Sequence, residues 1–129
     1  MFDLDLLPEE YAVCRLPAGT PLPASLSSGP DDKSVISVTW APEELSIICP
    51  ADRVPPDATV ETPWRCLRVV GPLDLALTGV LASLIGPLAE ARVNIVTFST
   101  YDTDYVLVPT VRLAEAVATL SGAGHRIAG

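Results

Sequence analysis

The spacing of apolar residues changes period several times along the chain, and each change predicts an element. Trp64 to Val70 is a β-rich run that stops at Gly71-Pro72, a strong punctuation pair. From Leu77 onward, Leu77, Val80, Leu81, Leu84, Ile85 and Leu88 recur at three and four residues. That is the stripe of a helix packed on one face. Val93 to Thr100 returns to strand composition, and Tyr105 to Val108 is a further short strand. Between these two, Thr100-Tyr101-Asp102-Thr103-Asp104 is polar and turn-prone. After Pro109, Thr110 is an N-cap candidate. Leu113, Val117 and Leu120, with Ala114 and Ala118, then form the apolar face of a second helix, which stops at Ser121-Gly122. His125 to Ala128 offers a last short strand. The order strand, helix, strand, strand, helix, strand predicts an α+β unit. Its four-stranded antiparallel sheet carries two helices on one face, and right-handed crossovers restrict the topology to a ferredoxin-like one. Pro87 falls inside the first helix and removes the hydrogen bond to the Ser83 carbonyl, a cost of about 3 kcal/mol, so a kink or break is expected near Gly86.

The amino-terminal half is patterned differently. Residues 1–10 read as a loose leader and Tyr11 to Leu16 as a strand. Residues 17–33 form a loop rich in proline and glycine, with one helical turn near Ala24. Val35 to Trp40 and Leu45 to Cys49 are strands joined by the turn Ala41-Pro42-Glu43-Glu44, a hairpin spacing. Pro50, Pro55, Pro56 and Pro63 keep the following connector extended and suggest a module boundary. The expected division is a β-rich half over residues 1–62 and a complete βαββαβ unit over 63–129. The first half repeats the order strand, connection, strand, turn, strand, with a proline-rich loop in place of the long helix.

Composition narrows the function classes. Of the 129 residues 49% are apolar, enough for a packed core, and the net charge is −8. A negative long-range field repels nucleic acid and anionic membranes, so neither is an expected partner. Cys14, Cys49 and Cys66 form no CxxC pair, and the chain has one histidine, so there is no zinc pattern; a divalent ion on Asp102 and Asp104 with Thr100 or Thr103 is a minor alternative that lacks enough oxygen ligands, and no metal site is expected. Buried, reduced thiols and an acidic amino terminus point to a cytoplasmic protein. No GxSxG, HExxH or phosphate-cradling glycine loop is present, and His125 reads as a helix-end or surface residue. Enzymatic activity, catalytic residues and cofactors are therefore not expected.

Two features suggest a binding site. Thr78, Gly79 and Val80 lie at the first turn of the helix, where backbone N–H groups lack intrahelical partners and favour an anion. Asp102 and Asp104 lie beside Thr100 at a strand end and favour a cation. Together they suit a zwitterion such as a free amino acid. The competing reading is a capped helix next to an ordinary turn.

Residues 64–128 resemble an ACT domain, the βαββαβ amino-acid-binding regulatory module. They are most similar to the branch found in small bacterial ACT proteins and the CASTOR-type arginine sensors of animal cells. Carrying the resemblance are Gly71-Pro72-Leu73-Asp74, Leu77-Thr78-Gly79-Val80-Leu81-Ala82, Pro87-Leu88-Ala89 and above all Ser99-Thr100-Tyr101-Asp102-Thr103-Asp104-Tyr105-Val106-Leu107-Val108-Pro109. Tyr11-Ala12-Val13-Cys14-Arg15-Leu16 and Glu44-Leu45-Ser46-Ile47-Ile48-Cys49-Pro50 extend it into the first half, as an abbreviated ACT-like unit. The resemblance implies a non-catalytic sensor that holds an amino acid between two ACT modules. Asp104 and backbone groups near Gly79 and Thr100 would contact the ligand, and Tyr101 and Asp102 would help choose its side chain. With one full unit per chain, the site would be completed by a second copy, so a homodimer is expected, and any output would pass to a separate effector protein. The alternative is a structural or interaction module whose sheet pairs with itself or a partner and binds no small molecule.

Overall fold

The computed structural model describes residues 1–31 and 33–129; residue 32, inside the loop expected over 17–33, lies outside the described residues. In chain order the elements are β1 (Asp3–Pro17), β2 (Ser37–Trp40), β3 (Glu44–Pro50), β4 (Thr59–Val69), α1 (Val80–Glu90), β5 (Val96–Ser99), β6 (Asp104–Pro109), α2 (Leu113–Gly122) and β7 (Arg126–Ala128). Single 3-10 turns occupy Ala24–Leu26, Ala51–Arg53 and Thr110–Arg112. The chain divides into two compact units. One joins Met1–Leu7 to Arg65–Gly129, and the other is Pro8–Trp64. Strands β1 and β4 contribute residues to both.

In the Pro8–Trp64 unit, β1 pairs antiparallel with β3 from Tyr11↔Pro50 to Leu16↔Leu45, and β2 pairs with the other edge of β3. Period-two alternation sets the core. Ala12, Cys14 and Leu16 share one face of β1, Leu45, Ile47 and Cys49 share one face of β3, and Leu26 packs on them. The hairpin turn closes by reciprocal Ala41–Glu44 backbone bonds of 2.9 and 3.4 Å. Arg53 secures the preceding loop by donating to the carbonyls of Ser25 and Gly29 and to Ser28 Oγ.

The other unit contains the order β4, α1, β5, β6, α2, β7 that the sequence predicts for a ferredoxin-like fold. One strand differs from expectation. Residues 1–10 are not a loose leader, because β1 already begins at Asp3. The strand order here is β7, β1, β4, β6, β5. The first residues of β1 lie between β4 and β7, and Asp3 to Asp5 pair parallel with Arg126 to Ala128. The sheet of this unit is therefore not a four-stranded antiparallel one. Alternating Phe2, Leu4 and Leu6 earns this placement. Leu4 is fully buried with Leu67, Val69, Leu84, Leu88, Val106, Val108 and Leu120, and Phe2 and Leu6 pack on that cluster. Cys66 is buried in β4, and burial pushes its thiol up to about 12.

Helix α1 also departs from expectation. It begins at Val80 rather than Leu77, and it is one helix through Pro87, neither split nor ended at Gly86. Pro87 has no N–H for the Ser83 carbonyl, and His125 takes that place. The ring is 5% exposed. Its Nδ1 accepts from the Phe2 backbone N–H at 3.0 Å, which leaves the proton on Nε2, 3.1 Å from the Ser83 oxygen. The same ring stacks on Phe2, with centroids 5.9 Å apart and planes 9° apart. His125, just before β7, is thus a buried clasp joining α1 to Phe2 at the entry to β1, not a surface residue. It satisfies a half-buried backbone oxygen that the proline leaves without its helical partner, and it accounts for the tolerance of an interior proline.

Candidate functional site

Between the start of α1 and the turn joining β5 to β6 lies a cleft of about 270 Å³. Its walls follow from three local decisions of the chain. First, the segment after β4 cannot continue the sheet through Gly71-Pro72. It folds back so that the Leu73 N–H donates to the Asp102 carbonyl at 2.7 Å. Gly71 makes this possible, since a Cβ there would stand 3.0 Å from the Asp102 carbonyl oxygen. Second, Asp74 does not cap the helix. Its carboxylate accepts from the Ala76 N–H at 2.9 Å and its carbonyl from Leu77 N–H at 2.9 Å, forming a separate turn. Third, α1 is entered through Gly79 at φ +79°, a left-handed residue, and no side chain caps it. The first helical N–H groups therefore have no partner from the helix itself, and the helix dipole places partial positive charge there.

The opposite wall is the β5–β6 turn. Thr100 N–H donates to the Thr103 carbonyl at 2.9 Å. Thr103 is 7% exposed and donates its hydroxyl to the Val69 carbonyl at 2.6 Å, which pins the turn to the end of β4. Asp104 Oδ1 accepts from Ser99 Oγ at 2.5 Å, so one carboxylate oxygen is fixed at the root of the turn. Phe98 and Tyr105 stack across the paired strands, 4.7 Å between centroids. The sequence signal for these supports was limited to turn-prone residues; Gly71 and Thr103 show their roles only through long-range contacts.

Of the expected residues, Gly79, Val80, Thr100, Tyr101, Asp102 and Asp104 line the cleft, together with Asp74. Thr78 does not line it. Because α1 starts at Val80, Thr78 precedes the helix by two residues and is exposed. The lining thus combines carboxylates from Asp74, Asp102 and Asp104 with the open amino end of a helix. Leu77, expected in the buried helical stripe, is instead 53% exposed. Leu75 is 69% exposed and Tyr101 81% exposed. All three line the cleft. Among the described residues no cluster of histidine, cysteine, aspartate or glutamate has the arrangement of a metal site. No helix of the described residues is long and apolar enough to cross a membrane.

Comparisons with known proteins identify the family of the chain. A family model described as an ACT domain matches residues 59–122. A second model, for an N-terminal domain, matches residues 9–57. A crystal structure of a protein from Agrobacterium tumefaciens superposes with a TM-score of 0.86 at 34% identity, covering 98% of this chain and 92% of that one. The chain belongs to the ACT-domain family and is related to the arginine sensors. The cytosolic arginine sensor for mTORC1 subunit 1 of Bos taurus is 31% identical over 96 residues, which is 66% of this chain and 29% of the sensor. This chain therefore spans under a third of that relative. The ligand-free regulatory subunit of aspartate kinase from Thermus thermophilus shares the fold, with a TM-score of 0.64 at 15% identity, over 92% of this chain and 95% of that one.

Proposed function

We propose that this protein is a non-catalytic amino-acid sensor that binds a free amino acid in the cleft between the start of α1 and the β5–β6 turn. The carrying observation is the pairing, in one cleft, of an uncapped helix start with the carboxylates of Asp102 and Asp104. The ligand carboxylate meets the N–H groups around Gly79 and Val80, where the dipole favours negative charge. The ammonium meets Asp104 and the carbonyl oxygens near Thr100. Tyr101 and Asp102 face the side chain. Three carboxylates around a 270 Å³ cleft favour a cationic side chain over an acidic one. The kinship with an arginine sensor supports the same preference.

The exposed Leu75, Leu77 and Tyr101 line the same cleft, which supports a site completed by the surface of another ACT module. In this reading the working form is a cytoplasmic homodimer with ligand between modules, and the signal passes to a separate effector protein. Those same apolar side chains also fit the alternative, an interaction module that pairs without a ligand. Thermal unfolding against each of the twenty amino acids separates the two. The sensor reading expects a stabilising shift with one amino acid or a small related set, lost in Asp104→Asn. No shift with any amino acid, with a dimer that persists on dilution, would favour the alternative.

A further inference from the structure

Beside the β5–β6 turn is a second hollow of about 350 Å³, lined by Arg68, Gly71, Pro72, Thr100, Thr103 and Tyr105 together with Asp102. Its chemistry differs from that of the amino-acid cleft. Arg68 is the cation in the lining, and its guanidinium is little used. One nitrogen lies 3.5 Å from the Val69 carbonyl and 3.9 Å from an Asp5 carboxylate oxygen, both at the outer limit of contact. A guanidinium carries five N–H donors in a planar fork, so among the described residues most of its capacity has no protein partner. The Tyr105 ring is held by stacking on Phe98, and among the described residues its hydroxyl donates to no protein group. Burial raises that phenol, while Arg68 opposes the rise more strongly than Asp102 adds to it. Tyr105 is therefore an O–H donor on a ring fixed by stacking, in the same lining as the Arg68 cation.

We propose that this hollow is an anion site, separate from the amino-acid cleft, which takes a small monocarboxylate with an apolar body. The carboxylate would be gripped by the Arg68 fork with a further bond from the Tyr105 hydroxyl, and the apolar body would lie on Pro72 and the Tyr105 ring. Asp5 and Asp102 nearby penalise each added negative charge, so a monoanion is favoured over a dianion. The site does not rest on the cleft binding an amino acid, because its cation, Arg68, is absent from the cleft lining, although Thr100, Asp102 and Thr103 border both hollows.

The test uses 3-phenylpropionate, which lacks an ammonium group and so cannot exploit the carboxylates of the cleft. Titration of the full chain, followed by backbone amide NMR, should move the signals of residues 68–73 and 100–105 saturably. The uncharged 3-phenylpropionamide should leave them in place. Arg68→Gln should weaken binding roughly tenfold or more, in keeping with loss of charged hydrogen bonds, and Arg68→Lys should recover only part of it. Tyr105→Phe should weaken binding less while keeping the stacked ring. Equal binding by the amide, unchanged binding in Arg68→Gln with a native spectrum, or no saturable shift in the parent protein would each overturn the proposal.

Discussion

Two places along α1 face the same physical problem and resolve it in opposite ways. At Pro87 the helix loses an amide, which leaves the Ser83 carbonyl without its partner. The fold supplies His125 from the far end of the chain, buries it, and satisfies both ring nitrogens. At the amino end the helix also has unpartnered groups, the N–H groups after Gly79. There the fold supplies no cap, and Asp74 spends its carboxylate on Ala76 instead. Where an unpaired backbone group lies in the interior, leaving it unmade would cost stability, so the chain answers it. Where it opens on an acid-lined cleft, an unanswered group costs little because water reaches it, and it remains available to a ligand. The contrast separates the structural end of this unit from its candidate functional end.

The largest effect is expected at the enclosed end. His125→Ala removes the partner of the Ser83 carbonyl and of the Phe2 N–H together with a buried ring, and should lower unfolding stability by about 3 kcal/mol in urea titration. Pro87→Ala sharpens the point. It restores an amide able to reach Ser83, so His125→Ala should cost less in that background, with a coupling of about 1 kcal/mol in a double-mutant cycle. Strict additivity would mean that the two residues do not share the carbonyl.

Gly71→Ala comes next, since its Cβ would crowd the Asp102 carbonyl and the Leu73 N–H. A cost of about 1–3 kcal/mol is expected, with the amide signals of residues 100–104 displaced. An unperturbed turn would show that the Leu73–Asp102 strap does not shape the cleft.

The buried core also predicts an alkaline limit. Burial raises the Cys66 thiol to about 12 from an ordinary value near 9. The stability from its neutral form is complete below about pH 9, where the unfolded thiol is still protonated. It is lost progressively as pH rises toward 12, at up to about 1.4 kcal/mol per pH unit. Chemical unfolding of Cys66→Ala should therefore be flatter over that window than that of the parent.

The smallest stability effect is expected at the cleft. Asp104→Asn keeps an acceptor for Ser99 and should change the unligated protein by less than about 0.5 kcal/mol.

Local sequence made one part of this contrast readable and hid the other. The turn Thr100 to Asp104 and the helix from Val80 onward follow from polar clustering and three-and-four spacing, so most of the cleft lining was legible. The exception is the entry to α1. Leu77 fits the helical stripe by spacing, but Gly79 in a left-handed conformation stops the helix short of it, which also removes Thr78 from the lining. The clasp was not legible, because Ser83, Phe2 and His125 are brought together only by tertiary packing. Nor was the start of β1. Asp3-Leu4-Asp5-Leu6 alternates as a strand should, yet its place between β4 and β7 depends on partners more than sixty residues away. A single histidine near a chain end gives no local sign that it will be buried.

The most direct test of the central claim, that the open end of α1 faces a ligand, is thermal unfolding of the parent and Asp104→Asn against each of the twenty amino acids at millimolar concentration. At about 100 times its Kd a ligand adds about 2.7 kcal/mol, a rise in Tm on the order of 5–10 °C for a domain of this size. Such a rise is expected in the parent with a basic amino acid, and its loss in Asp104→Asn at unchanged unligated Tm. Twenty flat curves for the parent, or an equal rise in the variant, would contradict it.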